Sequence, residues 1–209
     1  MPTLSPESYE IKVAGETFSL PIVQLDENTA IAHLVVINMG VRFGELVGKA
    51  ISQRFAALKP EIVVGSATLG IPVAIEVSRS LGLDRYVILQ KSPKFSLADA
   101  LAEEVKSITT PLPQRLLLDR KSISVIEGRR VLVVDDVVTS GSSIAAAIRL
   151  VRRAGANVIG AGAILTEGYA WRAALGEDAN LIESLNHIPR FSIQDLVATP
   201  IPEADAESA

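Results

Sequence analysis

The chain reads as an α/β protein built on a doubly wound, mainly parallel sheet. Three observations predict this. Apolar residues make up 48% of the 209 positions and aromatics only 4%, so the core is aliphatic, as buried parallel strands of Val, Ile and Leu require. From residue 61 onward, short β-branched runs alternate with segments of helical apolar spacing, the rhythm of βαβ units. One run, VLVVDD at 131–136, carries no polar residue until its last two positions, which fits a strand covered on both faces.

Taken in order, residues 1–8 are a polar lead. Residues 9–14 and 17–23 flank Gly15 and Glu16 and predict a hairpin, with Ile11 and Val13 alternating against Glu10 and Lys12. Residues 31–39 are apolar and fit either a strand or a loop. Phe43, Leu46, Val47, Ala50, Ile51 and Phe55 recur at helical spacing, and Pro60 closes the connection. Residues 61–65 predict a strand, 70–81 a helix stopped by Gly82, and 86–90 a strand. Residues 91–113 are irregular and contain Pro93, Pro111 and Pro113. A strand at 115–119 and a short turn lead to the strand at 131–135. A helix at 142–154 follows, with Ile144, Ile148 and Val151 on one face. Its Arg149, Arg152 and Arg153 stand near the end where the helix dipole favours cations, and Gly155 terminates it. Strands at 158–165 and 181–185 bracket a short helix at 170–175. Residues 198–209, ATPIPEADAESA, predict a disordered acidic tail.

Composition excludes several function classes. Net charge is −4, with a pI near 5.3, so no excess of Lys and Arg is available to neutralise many nucleic-acid phosphates. No cysteine is present, which rules out disulfides and thiolate metal sites and permits a reducing compartment. No apolar stretch approaches the roughly 20 residues that span a bilayer, and the N-terminus lacks the basic start and apolar run of a secretory signal. A cytoplasmic location is the expectation. His33 and His187 have no partners at metal spacing and read as structural.

The sharpest signal is residues 131–143, VLVVDDVVTSGSS. A buried strand ends in Asp135 and Asp136. A short loop then feeds a helix, and in open α/β sheets ligands bind beyond the carboxyl ends of strands. Gly141 lets the backbone approach an anion closely. Thr139, Ser140, Ser142 and Ser143 offer hydroxyls, and the first amides of the helix point outward unpaired. Together they make a cradle for one phosphate. Ser142 follows Gly141 and no lysine stands in the loop, so this is not the Gly-Lys-Ser/Thr pattern of nucleoside triphosphatases. Two carboxylates beside a phosphate cradle suit sugar hydroxyls, or water on a magnesium ion, better than they suit a second phosphate.

This string resembles the ribose-5-phosphate motif of the type I phosphoribosyltransferases, over roughly residues 60–190. The resemblance implies that fold, with a small hood from both chain ends: a hairpin or hood segment at 1–40, a core at 41–190, and a partly disordered C-terminal tail at 191–209. It implies 5-phosphoribosyl-1-pyrophosphate (PRPP) as substrate, with Asp135 and Asp136 on the ribose hydroxyls and Val138 and residues 139–143 around the 5′-phosphate. The loop Ala67, Thr68, Leu69 and Gly70 matches the family's pyrophosphate loop in position. It lacks the acidic residue that adenine and xanthine enzymes often carry where Ala67 stands, and the arginine that adenine enzymes tend to have where Leu69 stands. Lys91 matches a family lysine, while Gln90 replaces the usual arginine beside it. The stretch from Ser92, including Lys94, resembles a lid over the site. Near the base, Glu167 stands where 6-oxopurine enzymes place a lysine. A carboxylate accepts hydrogen bonds, which suits the exocyclic amine of adenine; alternatively Glu167 caps the helix that begins near Tyr169. Tyr169 or Trp171 could stack on a base.

The implied enzyme is a purine phosphoribosyltransferase of salvage, adenine slightly favoured, with magnesium carried by PRPP and a homodimeric assembly. A regulator of the same fold that senses PRPP without turnover is the alternative from another class. The few basic residues before position 60 argue against a DNA-binding wing, while an RNA-binding attenuator stays open. A pyrimidine enzyme and a relative of the ribose-phosphate diphosphokinases complete the set.

Overall fold

The computed structural model describes residues 4–92, 99–105 and 114–202. The chain opens with a hairpin of β1 (Ser8–Val13) and β2 (Glu16–Gln24). It turns at Ala14 and Gly15, whose φ angles are 50° and 88°, the doubly positive backbone of the tight hairpin turn. The turn lies one residue earlier than the sequence pattern suggests. The ambiguous stretch after it holds β3 (Thr29–Ala32) and a 3-10 turn at Val36–Asn38. Helix α1 (Val41–Phe55) buries Phe43, Val47, Ile51 and Phe55, the apolar stripe read from the sequence. Then come β4 (Ile62–Ser66), α2 (Gly70–Ser80), β5 (Tyr86–Leu89), β6 (Leu101–Val105), β7 (Gln114–Leu118) and α3 (Arg120–Ile126). The last third contains β8 (Arg130–Val138), α4 (Ser142–Arg153), β9 (Asn157–Glu167), α5 (Ala170–Leu175), β10 (Ile182–Ile188), β11 (Arg190–Gln194) and β12 (Val197–Pro200).

The central sheet has the order β10-β9-β8-β4-β5, and every neighbouring pair is parallel. It is covered on both faces. In β8, Leu132 and Val134 pack with Val47, Ile51 and Phe55 of α1 and Val73 and Val77 of α2. Val131 and Val133 pack with Ile148 and Val151 of α4, Ile126 of α3 and Leu175 of α5. Alternation along one strand thus assigns side chains to two cores. On β9, a Cβ at Gly160 would stand 2.6 Å from the Phe55 ring, so the small residues there let α1 lie close against the sheet.

The hood is a second sheet, antiparallel, in the order β1-β2-β3-β11-β12. It joins both ends of the described chain, and Ser5 also pairs with Val197. β6 and β7 form a separate antiparallel hairpin. Among the described residues no helix is long and apolar enough to cross a membrane.

Four expectations are corrected. The stretch 91–113 is not uniformly irregular, because β6 lies within it. The connection before β8 is not a short turn but α3, whose N-terminus is capped by the Asp119 carboxylate accepting from the Lys121 amide at 2.9 Å. β8 does not end at Asp135 but continues to Val138, since β9 is long enough to pair with it there. The tail expected from 191, disordered from 198, instead supplies β11 and β12, held by the hood; residues 203–209 lie outside the described residues.

Candidate active site

The carboxyl edge of the central sheet gathers the sequence-predicted residues. Asp135 sits on β8, buried at 8% exposure, and Asp136 beside it is half-buried. The Asp136 amide donates to Asp135 Oδ1 at 3.1 Å. The neighbouring strand β4 leads into the loop of Ala67, Thr68 and Leu69, in which the Ala67–Thr68 peptide is cis and the Ala67 amide is held by the Leu89 carbonyl at 2.8 Å. Gly70 then opens α2 against the site. A Cβ at Gly70 would lie 3.0 Å from Asp135 Oδ1, so glycine lets the two loops meet. Lys91, exposed just after β5, completes the row.

Electrostatics follow from this placement. Burial, and next the adjacent Asp136 carboxylate, push the Asp135 carboxyl up to about 8, with the Lys91 charge pulling it back down. The Asp135–Asp136 pair therefore holds a proton more readily than a solvated carboxyl does. A ligand offering hydroxyl donors and bringing cations would favour its loss.

The loop expected to hold a phosphate follows β8. Residues 139–141 turn from β8 into α4, with Gly141 at φ 75° as the residue preceding the helix. A Cβ there would come within 2.7 Å of the Trp171 carbonyl oxygen and 2.9 Å of its Cα. Trp171 is buried, and its indole N–H donates to the Gly168 carbonyl at 2.9 Å. Gly141 supplies no side chain to cap α4, so the first amides of a twelve-residue helix face an open hollow. The Ser142 amide makes one long contact, to Ser140 Oγ at 3.4 Å. The hollow, about 160 Å³, is bordered by Asp135, Val138, Thr139, Ser140, Gly141 and Ser143.

At the end of β9, Glu167 is buried at 3% exposure. Its carboxylate accepts from Thr139 Oγ1 at 3.5 Å and lies 3.9 Å from Arg190 Nε of the hood. The residue preceding α5 is Tyr169, whose side chain makes no capping bond. The Tyr169 ring stacks on His187, with centroids 4.7 Å apart and 18° between planes. His187 Nδ1 is 3.1 Å from Thr166 Oγ1. His187 has no signal in the sequence. It meets Thr166 and Tyr169 only because β10 pairs with β9 so that His187 stands opposite Thr166. Trp171 packs under Gly141 and is not exposed to a ligand. Lys94 lies outside the described residues.

The family model for the phosphoribosyl transferase domain matches residues 37–189. The chain belongs to that family. It is thereby an enzyme of the phosphoribosyltransferase class, and its sheet and hood are those of the type I fold. A xanthine phosphoribosyltransferase from Laribacter hongkongensis is 28% identical over 153 residues, covering 72% of this chain and 80% of the relative. An orotate phosphoribosyltransferase from Caldanaerobacter subterraneus is 29% identical over 123 residues, 59% of this chain, and the match spans 53% of that relative's length. Among solved structures, the adenine phosphoribosyltransferase from Thermoanaerobacter pseudethanolicus superposes with a TM-score of 0.66 at 17% identity, over 81% of this chain and 95% of that one. The adenine phosphoribosyltransferase from Rhodothermus marinus gives 0.61 at 21% identity, over 88% and 96%. These two likenesses speak to the fold alone.

Proposed function

We propose that the protein transfers ribose 5-phosphate from PRPP to a purine base and releases pyrophosphate. The observation that carries this reading is the juxtaposition, at one sheet edge, of an uncapped helix start, two adjacent carboxylates of which Asp135 is buried, and a loop that reaches Asp135 at Gly70. The helix start and residues 139–143 would take the 5′-phosphate. Asp135 and Asp136 would accept from the ribose hydroxyls and lie near the ring as it gains positive charge. Residues 67–70 and Lys91 would receive the departing pyrophosphate, which gathers negative charge. The protein's contribution is orientation and preorganised charge.

Two carboxylates fit a magnesium ion that arrives on the phosphates of the ligand and keeps its waters. Among the described residues no group of three or more His, Cys, Asp or Glu side chains is gathered for a metal. Bound there, magnesium would neutralise charge on the leaving pyrophosphate.

A purine is favoured by the xanthine phosphoribosyltransferase relative with its long overlap. Among the purines, Glu167 selects no base by direct contact, because its carboxylate is buried beside Thr139 and Arg190 of the hood. The test is incubation with PRPP, magnesium and one base at a time, from adenine, hypoxanthine, guanine, xanthine, orotate and uracil, with nucleotide and pyrophosphate both measured. Turnover with a purine is expected, strongly reduced in Asp135→Asn/Asp136→Asn, since exchanging two charged acceptors for neutral ones costs on the order of 2–4 kcal/mol. Turnover with orotate or uracil alone would overturn the purine assignment. No turnover with any base, despite PRPP binding, would point to a sensor.

A further inference from the structure

Arg149 and Arg153 stand four residues apart on α4 and so share one face of the helix. Both reach a single carboxylate on the β6–β7 hairpin. Arg149 Nε donates to Glu103 Oε1 at 2.9 Å, and Arg153 Nη1 donates to Glu103 Oε2. Arg153 Nη1 also donates to the Ala102 carbonyl at 2.9 Å, and Arg149 Nη2 to the Glu104 carbonyl at 3.4 Å. The Glu103 side chain is only 16% exposed. The hairpin is also held by apolar burial, as Val105, Leu116 and Leu118 share a core with Ile148 and Val151 of α4. Apolar burial is non-directional and does not by itself choose one register of the hairpin along α4. A carboxylate gripped by two guanidinium groups is directional and does choose one.

The other side of the hairpin leads to the site. Leu117 of β7 exchanges both backbone hydrogen bonds with Gln90, at 2.9 and 2.8 Å. The next residue is Lys91, whose charge acts on Asp135. A continuous chain of contacts results. It runs from the cradle at the start of α4, down the helix to Arg149 and Arg153, through Glu103 to the hairpin, and across Leu117 and Gln90 to Lys91.

We infer that Glu103 is a positioning residue for the transfer reaction, fixing the spacing between the phosphate cradle and Lys91. This rests on the function proposed above. PRPP is anionic at both ends, with the 5′-phosphate at the cradle and the pyrophosphate toward Lys91. A ligand with two charged ends feels the spacing between their receptors. Ribose 5-phosphate, which has only the first end, does not.

The experiment measures dissociation constants for PRPP with magnesium and for ribose 5-phosphate, by calorimetry, on the wild-type protein and on Glu103→Gln. PRPP is expected to weaken on the order of tenfold, the scale of coupling through a shared network. Ribose 5-phosphate is expected to hold within about twofold, and this also reports that the variant is folded. In a Lys91→Ala background the same Glu103→Gln change is expected to lose its effect on PRPP. Arg153→Gln, which leaves the Arg149 contact, is expected to give the same pattern at smaller amplitude and replaces Glu103→Gln where that variant does not fold. Equal weakening of both ligands would overturn the assignment, because it would mean that α4 has simply loosened. So would no change in either ligand, or an undiminished effect in the Lys91→Ala background. Failure of the wild-type protein to bind PRPP at all would instead remove the proposed function, and this assignment with it.

Discussion

Replacing Gly141 with alanine tests how the cradle is held. Two costs can be worked from the structure. At φ 75° an L side chain in the left-handed region costs roughly 1–2 kcal/mol. The added methyl would also stand 2.7 Å from the Trp171 carbonyl oxygen and 2.9 Å from its Cα. These are backbone atoms of a buried residue whose indole is already tied to Gly168, so they cannot swing aside as a flexible side chain could. Relieving such a contact by backbone shifts costs about 1–3 kcal/mol more. Gly15 supplies the control. Its φ is 88°, and a Cβ there would meet nothing within 4 Å, so Gly15→Ala carries the dihedral cost alone. Urea unfolding of the two variants against the wild-type protein separates the terms. Gly141→Ala is expected to lose roughly 1–3 kcal/mol more than Gly15→Ala, or several degrees in Tm for a chain of this size. Equal losses would show that the Trp171 backbone gives way freely, and that Gly141 is required only for its dihedral angle.

Two further predictions concern the Asp135 proton. Its folded value of about 8 stands above the unfolded value of 3.8, so its contribution to stability is complete below about pH 4 and is lost as pH rises toward 8. Denaturation at a series of pH values is therefore expected to show Asp135→Asn gaining on the wild-type protein steadily from pH 4 to 8; a difference that stays flat over that range would contradict the burial argument. Ligand binding carries the opposite sign. Ribose hydroxyls and the cations around PRPP favour the carboxylate, so binding is expected to expel the proton and to tighten as pH rises from about 6 to 8. Calorimetry in two buffers of different ionisation enthalpy reads that release. Comparison with Asp135→Asn cancels the protons of PRPP itself, and equal release from both proteins would place the proton elsewhere.

Much of this molecule was legible in one dimension. The stripe of Phe43, Val47, Ile51 and Phe55, the helix that begins at Ser142, the buried strand before Asp135 and the glycine that turns into α4 are all local patterns. Each states in a few consecutive residues which face is apolar or where a left-handed residue is needed. That is why the α/β class, the turn into α4 and the family resemblance could be read from the sequence. β6 could not, because Glu103 stands on the same face as Leu101 and Val105 and breaks the apolar alternation, and the segment is a strand through pairing with β7 and the grip of two arginines on Glu103. Those arginines read as dipole partners at a helix end; only their neighbour in space shows them to be anchors. The hood strands β11 and β12 read as tail because their partners, β3 and Ser5, lie more than 150 positions earlier in the chain. Likewise Gly70 meets Asp135, and His187 meets Tyr169, across strand registers that no local pattern records. Periodicity encodes which side of an element is buried, and the sequence by itself determined that much. Which elements face each other is decided by burial and hydrogen bonding summed over the whole chain, and that is settled only when the sheet is assembled.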